Sequence, residues 1–285
     1  IVLLESRDKF TCWQDVADKG VHAFTKAEEL FSQAAAAFAD IEDRKMVDNA
    51  KEKETEANER KIHAEELAEC AVVVIQSSGE WAPQRKDKFR RTMPYGTAQQ
   101  AISDAASLGK TTTYHTESQI LEGSVVALKA RTHEVEDTLE ITRNVVICAE
   151  TEVTAQNCTL LIQRRSLLIS SAKSLKIENV SLVQKLGDGA EDYWSGGLFV
   201  VKVEAGQTEV LDCFIQSQRG TGVVADDKGK VMLEHCNIFE CGQYGVGADG
   251  PEALVDVRDC TIEACKFEAW DERNGARVVG VEDED

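Results

Sequence analysis

Apolar residues in the first quarter of the chain recur at steps of three and four. Phe24, Ala27, Phe31, Ala34, Ala35, Phe38 and Ile41 fall on one face of a helix. Asp40 to Asp43 interrupts the pattern, and Val47, Ala50, Ala57, Ala64, Leu67, Ala71 and Val74 resume it. The period predicts a helical hairpin from near residue 21 to near 76, with alanines on the facing surfaces so that the helices approach closely. Further on, Thr97 and Gln100 form a capping box, in which each side chain satisfies an orphan N–H at a helix start. Ala98, Ala101, Ile102, Ala105 and Leu108 supply an apolar stripe and Gly109 a stop, predicting a short amphipathic helix over 97–108.

From about residue 120 the period changes. The segments TEVLDCFI (208–215), VMLEHCNI (231–238) and VDVRDCTI (255–262) align with one another, and LKIENVSL (175–182) fits the same frame. Four columns emerge: Leu175, Thr208, Val231, Val255; Ile177, Val210, Leu233, Val257; Val180, Cys213, Cys236, Cys260; and Leu182, Ile215, Ile238, Ile262. All except Thr208 are apolar or cysteine. Cys241 and Cys265 each follow their column cysteine by five residues. One strand pattern returning every 22 to 24 residues describes a parallel β-helix, in which each coil pairs with the next about 4.8 Å away and like stacks on like inside. The expected architecture is mostly β: a right-handed parallel β-helix of about five coils with an N-terminal capping helix, preceded by an α-helical hairpin. The domain reading is 1–80 hairpin, 81–96 basic linker, 97–275 β-helix and 276–285 acidic tail.

The stretch GSVVALKARTHEVEDTLEITRNVVICAE (123–150) resembles the opening coil of the pectate-lyase-like right-handed β-helix superfamily, where an amphipathic helix covers the open end of the core. The coils over 219–265 are similar to the β-helix repeats of F-box-only and SHC-binding-type proteins, a resemblance that implies a protein-recognition surface. No F-box or SH2-ligand motif accompanies them. The insertion between Val180 and Cys213, carrying Asp188, Asp192, Tyr193 and Trp194, departs from the short repeat and reads as a loop outside the barrel. In the first part, AEELFSQAAAAFADIED is similar to a tetratricopeptide-type helix, leaving a peptide-binding repeat open beside a plain hairpin.

Charge narrows the function. The chain has 285 residues, 32 Lys+Arg and 51 Asp+Glu, a net charge of −19. That argues against nucleic acid and against anionic lipid as partners, since both need a cationic surface. No apolar run approaches the roughly 20 residues of a membrane span. The opening IVLLES is shorter than a signal h-region, and the RDK after it is unlike a cleavage site. Nine cysteines, an odd number in a long chain, favour a cytoplasmic or other reducing compartment over a disulfide framework.

Candidate chemistry is sparse. Asp226 and Asp249 each lie thirteen residues after a column cysteine, which stacks them on adjacent coils. Two close carboxylates can bind a cation or divide acid–base work, although ADDKG and ADG are also ordinary turn sequences. Asp212, His235 and Asp259 form a second, outward column, either a base or metal ligand between carboxylates or a solvated polar ladder. His22, His63, His115 and His133 show no ligand spacing. The stacked cysteines lack zinc-knuckle spacing and read as small core hydrophobes. Arg85, Lys86, Lys88, Arg90 and Arg91 form a basic stretch that reads as a solvated linker or a contact for an acidic partner. No motif calls for a cofactor. The leading expectation is a non-enzymatic scaffold that recognises another protein. The alternatives are a polysaccharide-active or carbohydrate-binding β-helix, for which a groove lined by aromatic rings and converging carboxylates is the sign, and a structural subunit of an assembly.

Overall fold

A computed structural model describes residues 13–40, 44–69, 72–75, 92–106, 124–150, 153–163, 165–185 and 198–281. The described residues fall into two units, one containing the first two helices with residues 92–94 and 150, the other the remaining described residues, including a third helix.

In the first unit, α1 (Trp13–Asp40) and α2 (Arg44–Glu69) pack against each other. Ala50, Ala57 and Ala64, seven residues apart, are buried in the seam with Ala35. Their small side chains permit the close approach expected from the sequence. Lys61 reaches across to Glu28 at 3.4 Å. The helices start earlier and end sooner than the apolar period implies: α1 begins at Trp13, and Val72–Ile75 is a strand that carries Val74 out of the helix. That strand clusters with the β unit and pairs antiparallel with Ser124–Leu128.

The second unit is a solenoid of three parallel sheets. The first sheet stacks Ser124–Leu128, Val145–Ala149, Ser174–Glu178, Gln207–Leu211, Lys230–Glu234, Leu254–Arg258 and Arg277–Val279. The second runs from Thr132–Val135 through Thr159–Gln163, Ser181–Lys185, Phe214–Ser217 and Asn237–Phe239 to Thr261–Glu263. The third runs from Leu139–Ile141 through Leu168–Ser170, Phe199–Val203, Thr221–Asp226 and Val246–Asp249 to Trp270–Arg273. The described strands therefore make six coils and open a seventh, one coil more than expected. Arg277–Val279 lies in the segment read as an acidic tail, and Thr92–Tyr95, read as linker, is a strand. The basic residues 85–91, the insertion over 186–197 and residues 282–285 lie outside the described residues.

The register pairs the repeat columns residue for residue. Thr208 aligns with Leu175 and Val231, Val210 with Ile177 and Leu233, and Ile215 with Leu182 and Ile238. Leu160 precedes Leu182 in the same column. Leu175, Ile177, Leu182, Val210, Ile215, Leu233 and Ile238 have no exposed surface. Each is worth about 1.5–3 kcal/mol of burial, obtained only when a neighbouring coil covers it. The corners have a local cause. Asn179, Asp212, His235 and Asp259 turn the chain from the first sheet to the second, all at positive φ between 47° and 57°. Asn, Asp and His tolerate that conformation best among residues with a side chain, which is why they occupy this column.

α3 (Ala98–Ala106) closes the N-terminal end. Thr97 Oγ1 accepts the Gln100 N–H at 3.3 Å, the first half of the capping box, while Gln100 Nε2 donates to Asp104 at 2.7 Å. Ala98, Ala101, Ile102, Ala105 and Ala106 are buried. Gln99 Oε1 accepts the Glu136 N–H at 2.8 Å, and the Thr142 hydroxyl donates to Ala106 O at 2.8 Å, fastening the helix to the first coil.

One core position carries a histidine. His133 is 4% exposed and aligns with Leu160. Burial pushes its pKa below the ordinary value, against a bond between Nε2 and Lys129 O. The unfolded chain therefore takes up a proton that the folded state refuses. Stability contributed by the neutral ring is complete above about pH 6.5 and declines as the pH falls below it. His133→Leu continues the leucine column and removes this dependence. The expected result is a smaller loss of urea midpoint between pH 7.5 and pH 5 in the variant than in the wild type. Equal losses would show that His133 does not titrate with unfolding.

Candidate functional site

The third sheet presents its outward side chains in two columns. Lys202, Val224, Gly247 and Asp271 form one, on four successive coils. Asp226, Asp249 and Arg273 form the next. Because alternate residues of a strand face opposite ways, Val201, Val203, Val223 and Ala225 between them are buried in the core. Gly247 leaves a gap in the first column. A Cβ there would meet only methyl groups at 3.7 and 3.8 Å, so the missing side chain becomes the floor of a groove. The groove holds about 250 Å3 and is lined by Phe199, Lys202, Val224, Asp226, Tyr244, Gly247, Asp249, Asp271 and Arg273 among others.

Its charges are paired. Lys202 Nζ lies 2.8 Å from Asp226 and 3.0 Å from Glu204. Burial lowers the pKa of Lys202, but hydrogen bonds to these two carboxylates outweigh it and hold the ammonium above its ordinary range. Arg273 Nε lies 2.6 Å from Asp271, and Asn274 Nδ2 donates to Asp249 at 2.6 Å. Each cation also faces a ring: Lys202 Nζ is 5.7 Å from the Phe199 centroid and the Arg273 guanidinium 5.9 Å from that of Tyr244. Tyr244 rests in turn on Phe267, with centroids 5.5 Å apart.

The structure thus brings Asp226 and Asp249 side by side and gives each a partner of its own. Asp226 carries Lys202 and also accepts the Asp227 N–H at 2.9 Å, the local turn bond for which Asp is favoured. His235 is elsewhere, at the corner between the first and second sheets. Its Nδ1 lies 3.5 Å from Asp212 and its Nε2 3.9 Å from Asp259, with His235 half-exposed and both carboxylates in solvent. Among the described residues no group of three or more His, Cys, Asp or Glu side chains is arranged to hold a metal ion. The Val180, Cys213, Cys236 and Cys260 positions stack at the same corner, through N–H bonds from Phe214 to Val180 O, Asn237 to Cys213 O and Thr261 to Cys236 O. Cys260 and Ile262 are half-buried, since no described strand covers them on the second sheet.

Sequence reasoning passed over several members. Cys158 occupies the same column as Val180, marked by the Ser181 N–H bond to Cys158 O, and its spacing of 22 residues before Val180 was the available signal. Lys202, Arg273, Phe199 and Tyr244 were also missed. Extending the repeat to the third sheet would have aligned Lys202 with Val224, Gly247 and Asp271, but polar outward positions carry no periodic constraint.

No curated protein and no solved structure matches the chain. Residues 144–282 match the family described as a right handed beta helix region, which spans coils two to six, and the solenoid of this chain is therefore a right-handed parallel β-helix.

Proposed function

We propose that the protein is a non-enzymatic scaffold whose third-sheet groove recognises a segment of another protein. The carrying observation is the pair of ring-backed cations, Lys202 on Phe199 and Arg273 on Tyr244, set around the open floor at Gly247. Tyr and Arg dominate the energy of protein interfaces, and side chains already held against rings lose little freedom on binding. The coils over 219–265, which lie between Lys202 and Arg273 and carry Tyr244, resemble those of F-box-only and SHC-binding-type proteins, which favours a protein ligand. Cys213, Cys236, Cys241, Cys260 and Cys265 are thiols, which suits a reducing compartment.

The test is photo-crosslinking from a benzoyl-phenylalanine placed at Val224, in cell extract. A discrete protein adduct is expected. The double charge reversal Lys202→Glu with Arg273→Glu should weaken it by roughly 30-fold or more, the effect of losing one hot spot, while circular dichroism is unchanged. Undiminished adduct in the folded double variant would overturn the proposal.

One observation favours the second reading, a carbohydrate ligand: the aromatic rings and the carboxylates Asp226 and Asp249 do converge on one groove. Retention on a glycan array that is lost in Tyr244→Ala, with no protein adduct, would support that reading instead.

A further inference from the structure

Besides the groove, the solenoid carries a second chemical feature at the corner between its second and third sheets. Cys241 and Cys265 occupy the same position on consecutive coils, each just after a residue at positive φ, Glu240 and Ala264. The Lys266 N–H donates to Cys241 O at 2.8 Å, so the two corners lie one coil rise, about 4.8 Å, apart. That is within the Cα separation of about 4.4–6.8 Å that a disulfide spans. Each sulfur sits over a glycine of the adjoining strand, 3.3 Å from where a Cβ of Gly222 or Gly245 would be. The glycines keep the space around both thiols open. Cys241 is 2% exposed, whereas Cys265 reaches solvent.

We propose that Cys265 and Cys241 form a peroxide-sensitive dithiol, with Cys265 the attacking sulfur and Cys241 the resolving one. The Cys265 thiolate attacks hydrogen peroxide: an S–O bond forms, the O–O bond breaks, and the departing hydroxide takes a proton. The Cys241 sulfur then attacks Cys265 of the resulting sulfenic acid. An S–S bond forms, the S–O bond breaks, and water leaves with the Cys241 proton. Two thiols lose two hydrogens and one peroxide becomes two waters. The electrostatics support these roles. The interaction between the two side chains lowers the Cys265 thiol to about 7 and raises that of Cys241, whose S–H donates to Phe239 O at 3.8 Å. The other stacked pair behaves oppositely: Cys236 is pushed up to about 12 by its bond with Cys213, and Cys260 is raised as well by Cys236.

The inference rests on the solenoid register and is independent of the groove. The purified chain is treated with hydrogen peroxide, free thiols are alkylated, and the peptides are mapped by mass. The Cys241–Cys265 crosslinked peptide should appear before Cys148, Cys158, Cys213, Cys236 or Cys260 is modified. In Cys241→Ser, a dimedone adduct should accumulate at Cys265. In Cys265→Ser, peroxide consumption should fall by about tenfold, the difference in thiolate fraction between a thiol of pKa near 7 and an ordinary one. Oxidation of Cys260 ahead of Cys265, or no dimedone label at Cys265 in the folded Cys241→Ser variant, overturns the assignment.

Discussion

Ile238→Asp abolishes the folded β-helix. Ile238 has no exposed surface and lies between Ile215 and Ile262 in its column. The substitution removes about 1.5–3 kcal/mol of burial and places a carboxylate against the Ile215 and Ile262 side chains, with a further penalty of several kcal/mol. A domain of ordinary stability has only about 5–15 kcal/mol in all. The position aggravates the loss. Each coil contacts only its neighbours, so a defect in the fifth coil uncovers the fourth and the sixth together. The expected observation is loss of β circular dichroism and rapid proteolysis. Ile238→Val, which leaves a small cavity, should cost about 0.5–1.5 kcal/mol and keep the fold. Met232 faces outward on the first sheet between Glu209 and Asp256 and is half-buried, so Met232→Lys should stay near wild type. A cooperative melt of Ile238→Asp at the wild-type temperature would sink the account of the core.

The second large effect is at a backbone contact. Gly206 begins the fourth coil at φ +75°, and a Cβ there would lie 2.0 Å from Ala172 O of the coil below. A peptide oxygen within the solenoid cannot swing aside as a long side chain can, and the conformation itself costs a side chain about 1–2 kcal/mol. Gly206→Val should therefore destabilise by roughly 3–5 kcal/mol, a fall of about 6–20 °C in melting temperature for a domain of this size. Gly247 supplies the control. It is not in the left-handed region, and a Cβ there would make only ordinary van der Waals contacts at 3.7 and 3.8 Å, so Gly247→Ala should leave the melting temperature nearly unchanged while filling the groove floor. Similar melting temperatures for the two variants would mean that the coils are not held as closely as the backbone contact implies.

Much of this architecture was legible before any coordinates. The capping box at Thr97 and Gln100 located the third helix, and the cysteine spacing located the coils, because both are short-range signals repeated in one frame. The first coil was legible through the resemblance of 123–150 to an opening coil and not through the repeat, since Ser124–Leu128, Thr132–Val135 and Leu139–Ile141 carry no cysteine. Val72–Ile75 was misassigned to a helix because a short apolar run such as VVVI has no period that separates helix from strand. The adjacency of Asp226 and Asp249 followed from counting alone. Their partners did not: Lys202 and Asn274 are 24 and 25 residues away from them, on other coils.

What the chain's order of residues determined by itself is the interior. A buried position in a solenoid meets the same environment every coil, so the requirement for an apolar or small side chain repeats and can be read as a column. The exterior carries no such requirement. Whether Lys202 finds Asp226, whether Arg273 lies over Tyr244, and whether Cys241 stacks on Cys265 depend on register and on the positive-φ corners that aim each strand. Those were decided only by the tertiary structure, because they are contacts between neighbouring coils, which sequence distance does not encode.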